Sequence, residues 1–192
     1  MAERRSEDGG GGPALIVTDM LNTYEHEDAD RLADSVADTI EPIRSLIAAA
    51  HERELPLIYV NDNYGDWNSS SEELAKRAME GEHPELVEPI LPPDGSMFVI
   101  KARHTIFYET PLNYLLTQLD VGSIVLTGQV TEQCILYSAL DAYVRHVDVA
   151  VPPDAVAHIH EDLADAAVQM MERNMRARLT PSSEPGELFR GE

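Results

Sequence analysis

The stretch SIVLTGQVTEQC, residues 123–134, predicts how this chain folds. Its first five residues are mostly apolar or β-branched and favour a buried strand. After Cys134, apolar side chains recur at helical spacing, so a helix is expected to follow that strand directly. Cys134 is the only cysteine among 192 residues, and it is expected in the first turn of this helix. Unpaired N–H groups and the positive end of the helix dipole favour a thiolate at such a position.

Strand and helix patterns alternate along the chain. Besides 123–127, strands are predicted at residues 14–18, 57–60, 97–100 and 147–151, and a brief segment near 177–180 could add another. Amphipathic helices are predicted around residues 32–47, 72–80, 112–119, 135–143 and 163–175. The alternation indicates an α/β fold, a three-layer α/β/α sandwich with a mostly parallel, Rossmann-like sheet of about six strands. A single domain is expected over residues 13–182, with flexible tails at 1–12 and 183–192.

The composition limits the partners that the chain is expected to have. Its 14 basic and 35 acidic residues give a formal net charge of −21. Such a surface repels phosphate backbones and anionic lipid, so neither nucleic acid nor a membrane is an expected partner. No apolar run approaches the ~20 residues that cross a bilayer. A single cysteine cannot form an internal disulfide, and the N-terminus lacks the apolar core of a signal peptide, so a cytoplasmic protein is expected.

Asp19, Lys101 and Cys134 each lie at or just after the end of a predicted strand. Because ligands of parallel sheets bind outside the carboxyl ends of the strands, these side chains can converge on one site. An acid, an amine and a thiol together suit nucleophilic attack on a carbonyl carbon. We expect Asp19 to take the thiol proton as general base, and Lys101 to lower the thiol pKa from its free value of ~8.5.

Each of these residues also has a simpler interpretation. A lone cysteine is often a small buried hydrophobe. Asp19 could cap a turn, and Lys101 could end its strand in solvent. Their joint placement at strand ends is what favours a catalytic interpretation over three separate structural ones.

Three segments, in this order and spacing, resemble motifs of the isochorismatase-like cysteine hydrolases, the superfamily of nicotinamidases, carbamoylsarcosine amidases and isochorismatases. They are ALIVTDM at 14–20, IKARHTIF at 100–107 and LTGQVTEQC at 126–134. The resemblance covers about residues 13–182. It implies that Asp19, Lys101 and Cys134 are the catalytic residues.

The same resemblance implies further features of the site and of the assembly. It places a non-proline cis peptide between Gln129 and Val130. It also implies that the N–H groups of Val130 and Cys134 form the oxyanion hole, and that the chain forms a homo-oligomer, a dimer or a tetramer. No organic cofactor is implied.

The sequence departs from the metal-dependent members of that superfamily. Nicotinamidases of this type have Asp-x-His after the second strand, whereas this chain has Asp62-Asn63-Tyr64. Tyrosine is a poor zinc ligand at neutral pH, so no metal is expected. Leu21 also stands where the superfamily often has glutamine, two residues after the aspartate.

Polar and aromatic side chains after the second and third strands are expected to line a pocket for a small-molecule substrate. They are Asn61, Asp62, Tyr64, Trp67, Phe107 and Tyr108. The residues after the second strand also fit a plain turn. Arg103 and His104 follow Lys101, where the arginine could bind a substrate carboxylate or pair with surface acids.

These features favour hydrolysis of a small amide or carbamoyl compound through a cysteinyl thioester. An isochorismatase-type vinyl-ether hydrolase is one alternative, but that reaction needs no thiol nucleophile, and the chain retains Cys134. A non-catalytic binding protein on the same fold and a redox-sensing thiol are two others. Neither of these requires an acid, a lysine and a thiol together.

Overall fold

The computed structural model describes residues 11–190, so most of the expected N-terminal tail lies outside the described residues. The strands are β1 (Gly12–Thr18), β2 (Leu57–Asp62), β3 (Met97–Lys101), β4 (Val121–Gln129), β5 (Asp148–Val151), β6 (Val156–Ala157) and β7 (Arg178–Leu179). The α-helices are α1 (Ala29–Glu52), α2 (Ser71–Met79), α3 (Pro84–Val87), α4 (Leu112–Gln118), α5 (Leu136–Val144), α6 (Glu161–Met175) and α7 (Pro185–Leu188). A π-helical turn, Thr131–Ile135, precedes α5.

The strands form one sheet in the order β3-β2-β1-β4-β5-β7, and β6 pairs with β4. All strand pairs between residues 11 and 190 are parallel. The predicted α/β class with a mostly parallel sheet is therefore confirmed. The sheet has seven strands rather than about six, because the two-residue β6 is too short to leave a periodic pattern in the sequence.

The sheet is buried on both faces, which is why its strands read as nearly continuous apolar runs. Along β1, Leu15 and Val17 belong to the core on one face, and Ala14 and Ile16 to the core on the other. The apolar side of α1 packs on the first face, and α5 and α6 contribute to the second. Helices therefore cover both sides of the sheet, as the three-layer prediction requires.

The register of the strands brings their carboxyl ends to one edge. Thr18 at the end of β1 is level with Val60 of β2 and Gly128 of β4. On the next strand pair, Asp62 is level with Lys101. The residues that follow β1, β2, β3 and β4 therefore lie close together at this edge.

The C-terminal segment is more ordered than the expected tail from residue 183. It contains α7, in which Leu188 is fully buried, and Phe189 is buried next to it. The Arg53 guanidinium lies over the Phe189 ring at 6.0 Å. Two adjacent apolar residues after a polar stretch are too few to show a period, so this packing could not be predicted from the sequence pattern.

None of the helices between residues 11 and 190 has both the length and the apolarity that crossing a membrane would require.

Candidate active site

Asp19, Lys101 and Cys134 meet at the carboxyl edge of the sheet. Lys101 Nζ lies 2.8 Å from Asp19 Oδ2 and 3.6 Å from Cys134 Sγ. All three residues are buried, with relative exposures of 6%, 2% and 8% in chain order. The structure therefore brings together the acid, the amine and the thiol that the sequence placed at three separate strand ends.

Backbone geometry at the end of β1 directs Asp19 into the site. Its φ is +56°, in the left-handed region that aspartate tolerates better than most residues. Gly128 on β4 has φ +107°, and a Cβ built there would lie 2.1 Å from the Thr18 carbonyl oxygen. Only glycine allows β4 to approach β1 this closely, just before the turn that carries Cys134.

A second carboxylate, Asp62, joins the buried pair. Its backbone N–H donates to Asp19 Oδ1 at 2.7 Å, and its Oδ2 lies 3.4 Å from Lys101 Nζ. Both oxygens of Asp19 are thus held, one by the Asp62 backbone and the other by the lysine ammonium. This network fixes the carboxylate and the amine relative to each other.

The charges of the cluster determine where its protons reside. Burial raises the pKa of Asp19, although the nearby ammonium of Lys101 opposes the shift. Burial alone would lower the pKa of Lys101, but the nearby carboxylates, Asp19 above all and then Asp62, outweigh it and raise that pKa. Lys101 is therefore an ammonium ion at neutral pH.

The resting sulfur is a thiol rather than a thiolate. Burial and the charge of Asp19 raise the pKa of Cys134, and together they outweigh the opposing effect of Lys101. Lys101 thus lowers the thiol pKa as expected, but the net pKa lies above the ordinary thiol value, because the sulfur is buried beside a carboxylate, which the sequence could not show. A thiol beside a carboxylate is suited to transfer its proton as it attacks.

The turn that carries the sulfur differs from the expected first turn of an α-helix. Cys134 lies in the π-helical turn Thr131–Ile135, and the N–H groups of Gln133 and Ile135 both donate to the Val130 carbonyl at 3.1 Å. The peptide bond between Gln129 and Val130 is cis. The backbone of Val130 partly offsets the rise in the thiol pKa.

Glu132 fastens this turn to the start of α6. Its Oε1 accepts hydrogen bonds from the N–H groups of Ile159 and His160 at 3.1 and 2.9 Å. Thr131 Oγ1 donates to the Ala157 carbonyl at 2.8 Å. The polar residues between Val130 and Cys134 thus hold the backbone on which the sulfur is mounted.

Two buried amide side chains, Asn61 and Gln129, hold the loop after β1. The sequence analysis placed the first in the pocket and assigned no role to the side chain of the second. Asn61, expected in the pocket, instead accepts from the Leu21 N–H at 2.9 Å and donates to the Leu21 carbonyl at 3.2 Å. Gln129 Nε2 donates to the Asp19 carbonyl at 2.6 Å. Both residues are at least 98% buried, and a polar residue inside an apolar strand is the sequence signal for such a role.

A cleft of about 840 Å³ opens beside Lys101. Four of the predicted pocket residues line it: Asp62, Tyr64, Trp67 and Tyr108. Arg103 and His104 from the loop after β3 also line it. Trp67 is 80% exposed, so it stands at the mouth of the cleft rather than at its base.

Tyr64 contributes a neutral hydroxyl to this cleft. Half of the residue is exposed, but burial of its hydroxyl end and the nearby charge of Asp19 raise its pKa well above the ordinary value. A protonated phenol is a poor metal ligand. Within residues 11–190, no cluster of three or more His, Cys, Asp or Glu side chains is placed to hold a metal ion.

Phe107, also expected in the pocket, lies in the hydrophobic core instead. It is 3% exposed, and the Arg145 guanidinium covers its ring at 5.1 Å from the centroid. Ile106 beside it is fully buried, whereas Tyr108 is about half exposed. The loop turns its apolar pair inward and its tyrosine outward, a distinction that aromatic character alone does not reveal.

His104 is a site residue to which the sequence assigned no role. Its Nδ1 lies 3.7 Å from Cys134 Sγ, and its ring packs at a tilt against Tyr137 with centroids 5.6 Å apart.

A second cavity, of about 580 Å³, lies at the opposite edge of the sheet between α1 and the start of β3. The thiol, the acid and the lysine are all at the carboxyl edge, so the first cleft is the candidate active site.

Comparison with known proteins agrees with this fold. The isochorismatase domain family matches residues 13–184. YaaI, an uncharacterized isochorismatase family protein of Bacillus subtilis strain 168, is 34% identical over 167 residues, which cover 87% of this chain and 92% of that protein. Maleamate amidohydrolase of Pseudomonas putida is 27% identical over 166 residues, covering 82% and 78%. The crystal structure of N-carbamoylsarcosine amidase from Thermoplasma acidophilum matches with a TM-score of 0.69 and 28% identity, covering 90% of this chain and 98% of that one.

Proposed function

The chain belongs to the isochorismatase family, and we propose that it hydrolyses the C–N bond of a small amide or carbamoyl compound through a thioester on Cys134. The observation that carries the proposal is the buried cluster in which Lys101 Nζ lies 2.8 Å from Asp19 and 3.6 Å from the Cys134 sulfur. Relatives named for amide chemistry support it, since maleamate amidohydrolase and N-carbamoylsarcosine amidase both resemble this chain along most of its length.

Each member of the cluster has a role in the proposed reaction. Cys134 attacks the carbonyl carbon while its proton passes to the Asp19 carboxylate. Asp19 then gives that proton to the leaving nitrogen as the C–N bond breaks. Lys101 remains an ammonium ion. It stabilises the negative charge that develops on the substrate carbonyl oxygen and on the Cys134 sulfur during the reaction.

The oxyanion would be held by the backbone N–H groups of Val130 and Cys134. The effect of the Val130 backbone on the sulfur supports this, because it lowers the pKa of Cys134 and so favours negative charge at this point of the site. Losing one donor of this kind typically costs about 100- to 1000-fold in rate.

A redox-sensing role fits the site less well. Sensor thiols are exposed and have a low pKa, whereas Cys134 is buried and its pKa is raised. A binding protein without turnover would have no use for the buried ion pair, and forming it costs desolvation energy. A vinyl-ether hydrolase would not need the sulfur as a nucleophile.

The experiment that tests the proposal is a screen of small primary amides, ureas and carbamates, with Cys134→Ala as the control. Intact-protein mass spectrometry during turnover should show one acyl group on the wild-type chain and none on the variant. Turnover that survives Cys134→Ala would favour the vinyl-ether reaction, and the absence of turnover on every compound would favour a binding protein.

We further propose that the chain forms a homo-oligomer in a reducing compartment such as the cytoplasm. Exposed apolar side chains cluster on one stretch of α5, where Tyr137, Leu140, Tyr143 and Val144 are each at least 41% exposed. A second copy could cover them. Light scattering of the wild type and of Val144→Lys tests the assembly, and a monomeric wild type would contradict it.

A further inference from the structure

His104 faces the catalytic sulfur from the cleft. Its Nδ1 lies 3.7 Å from Cys134 Sγ, while Lys101 Nζ lies 3.6 Å from the same atom and is buried. The His104 side chain is exposed and lines the cleft. Its ring packs against Tyr137 at an interplanar angle of 57°, which restricts its orientation. The sulfur therefore lies between a buried ion pair and an imidazole that solvent can reach.

Asp19 is less accessible to water from the cleft than His104 is. One of its oxygens accepts from the Asp62 N–H at 2.7 Å, and the other lies 2.8 Å from Lys101 Nζ. The residue is only 6% exposed. His104 lines the cleft and lies 3.7 Å from the sulfur, so water in the cleft can meet the imidazole beside a thioester on Cys134.

Three other acid–base side chains of the cleft are engaged with partners or stay protonated. Asp62 is engaged with Lys101 at 3.4 Å. Asp66 pairs with Arg77, and this hydrogen bond lowers the pKa of the carboxyl group. The hydroxyl of Tyr64 stays protonated because its pKa is raised. Histidine is the side chain whose ordinary pKa allows it to take and return a proton near neutral pH.

We propose that His104 is a further catalytic residue, the general base that activates water for hydrolysis of the thioester. The inference rests on the proposed function. His104 Nε2 or Nδ1 takes a proton from water as the water oxygen bonds to the acyl carbon. The C–S bond then breaks, and the imidazolium returns the proton to the Cys134 sulfur. Asp19 serves the first half of the cycle and His104 the second.

The test separates acylation from deacylation with 4-nitrophenyl acetate, an activated ester that transfers its acetyl group to a thiol and releases coloured nitrophenolate. In His104→Gln, the first nitrophenolate per chain should be released as in the wild type. Steady-state release should then fall about 100-fold or more, the usual size of a general-base effect. Mass spectrometry should show the acetyl group accumulating on Cys134. His51→Gln, at an exposed position in α1 and at the opposite edge of the sheet, is the matched control.

Each other result has a definite meaning. If the first release slows together with the steady state, His104 acts in acylation or in positioning, and the proposal is overturned. Unchanged kinetics in His104→Gln would overturn it as well. If Cys134→Ala releases nitrophenolate as fast as the wild type and no acetyl-cysteine forms, the thioester mechanism itself has failed, whatever His104 does. Rescue of a His104→Gly variant by added imidazole, seen only in the deacylation rate, would support the proposal.

Discussion

The backbone N–H of Asp62 donates a 2.7 Å hydrogen bond to Asp19 Oδ1, which ties the end of β2 to the carboxylate at the end of β1. The Asp62 side chain also approaches the lysine, with its Oδ2 3.4 Å from Lys101 Nζ. One buried ammonium is therefore shared by two carboxylates, of which Asp19 has the main effect on the pKa of the sulfur. This asymmetry makes the contribution of Asp19 separable by mutation.

We expect Asp19→Asn to abolish hydrolysis and at the same time to make the thiol ionise more easily. The variant lacks the base, so acylation should slow by about 100- to 10,000-fold. It also lacks the negative charge that, after burial, raises the pKa of Cys134. The rate of alkylation by iodoacetamide, measured against pH, should therefore reach its midpoint about one to three pH units lower than in the wild type.

Asp66→Asn is the control for this experiment. It removes a carboxylate from the same cleft but not from the surroundings of the sulfur. Its alkylation midpoint should match that of the wild type. A midpoint that rises in Asp19→Asn would mean that the carboxylate stabilises the thiolate, which would contradict the charge relationship described above.

The pH dependence of kcat/KM should show a raised acidic limb. Asp19 has to be ionised to accept the thiol proton, and burial raises its pKa above the ordinary value of 3.8. As the pH falls, activity should therefore be lost at a pH higher than that at which an ordinary aspartate is protonated. The measurement is kcat/KM for a neutral amide at about ten pH values between pH 3 and pH 9. Circular dichroism at each pH confirms that the protein stays folded. A limb at or below pH 3.8 in folded protein would exclude Asp19 as the base.

Gly128→Ala tests the close approach of β4 to β1. The added Cβ would lie 2.1 Å from the Thr18 carbonyl oxygen, and the residue would have to keep φ near +107°. Strain of this kind costs about 1–3 kcal/mol from the backbone alone, and the backbone clash adds to it. Urea unfolding measures the loss. Gly186→Ala is the matched control, because nothing lies within 4 Å of a Cβ built there, and equal stability of the two variants would refute the argument.

Sequence patterns predicted the sheet and the acid, lysine and thiol because these depend on periodicity and on position at strand ends. Leu57–Asp62 and Val121–Gln129 are buried apolar runs, and each is followed by polar residues at the ligand-binding edge. The state of the sulfur could not be predicted in the same way. It depends on the depth of burial and on the distance to Asp19, neither of which leaves a local signal.

Side-chain direction in the loops was the other unpredictable feature. Asn61 and Phe107 have the polarity and size of pocket residues, yet one holds the backbone of Leu21 and the other fills the core. His104 follows Lys101 by three positions and reaches the sulfur only because the loop after β3 folds over the cleft. These outcomes depend on tertiary contacts rather than on residue type.

The C-terminal helix α7 should contribute to stability even though it lies beyond the family match, which ends at residue 184. Leu188 is fully buried against the core that contains α1. Truncating it in Leu188→Ala removes buried methyl groups and leaves a cavity, so the free energy of unfolding should fall by about 2–5 kcal/mol. Glu184→Ala, at an exposed position just before α7, is the control and should change stability by less than about 0.5 kcal/mol. Denaturant unfolding distinguishes the two variants. If Leu188→Ala were as stable as Glu184→Ala, residues 183–190 would be a tail after all, and the packing of Phe189 beneath Arg53 would add nothing to the fold.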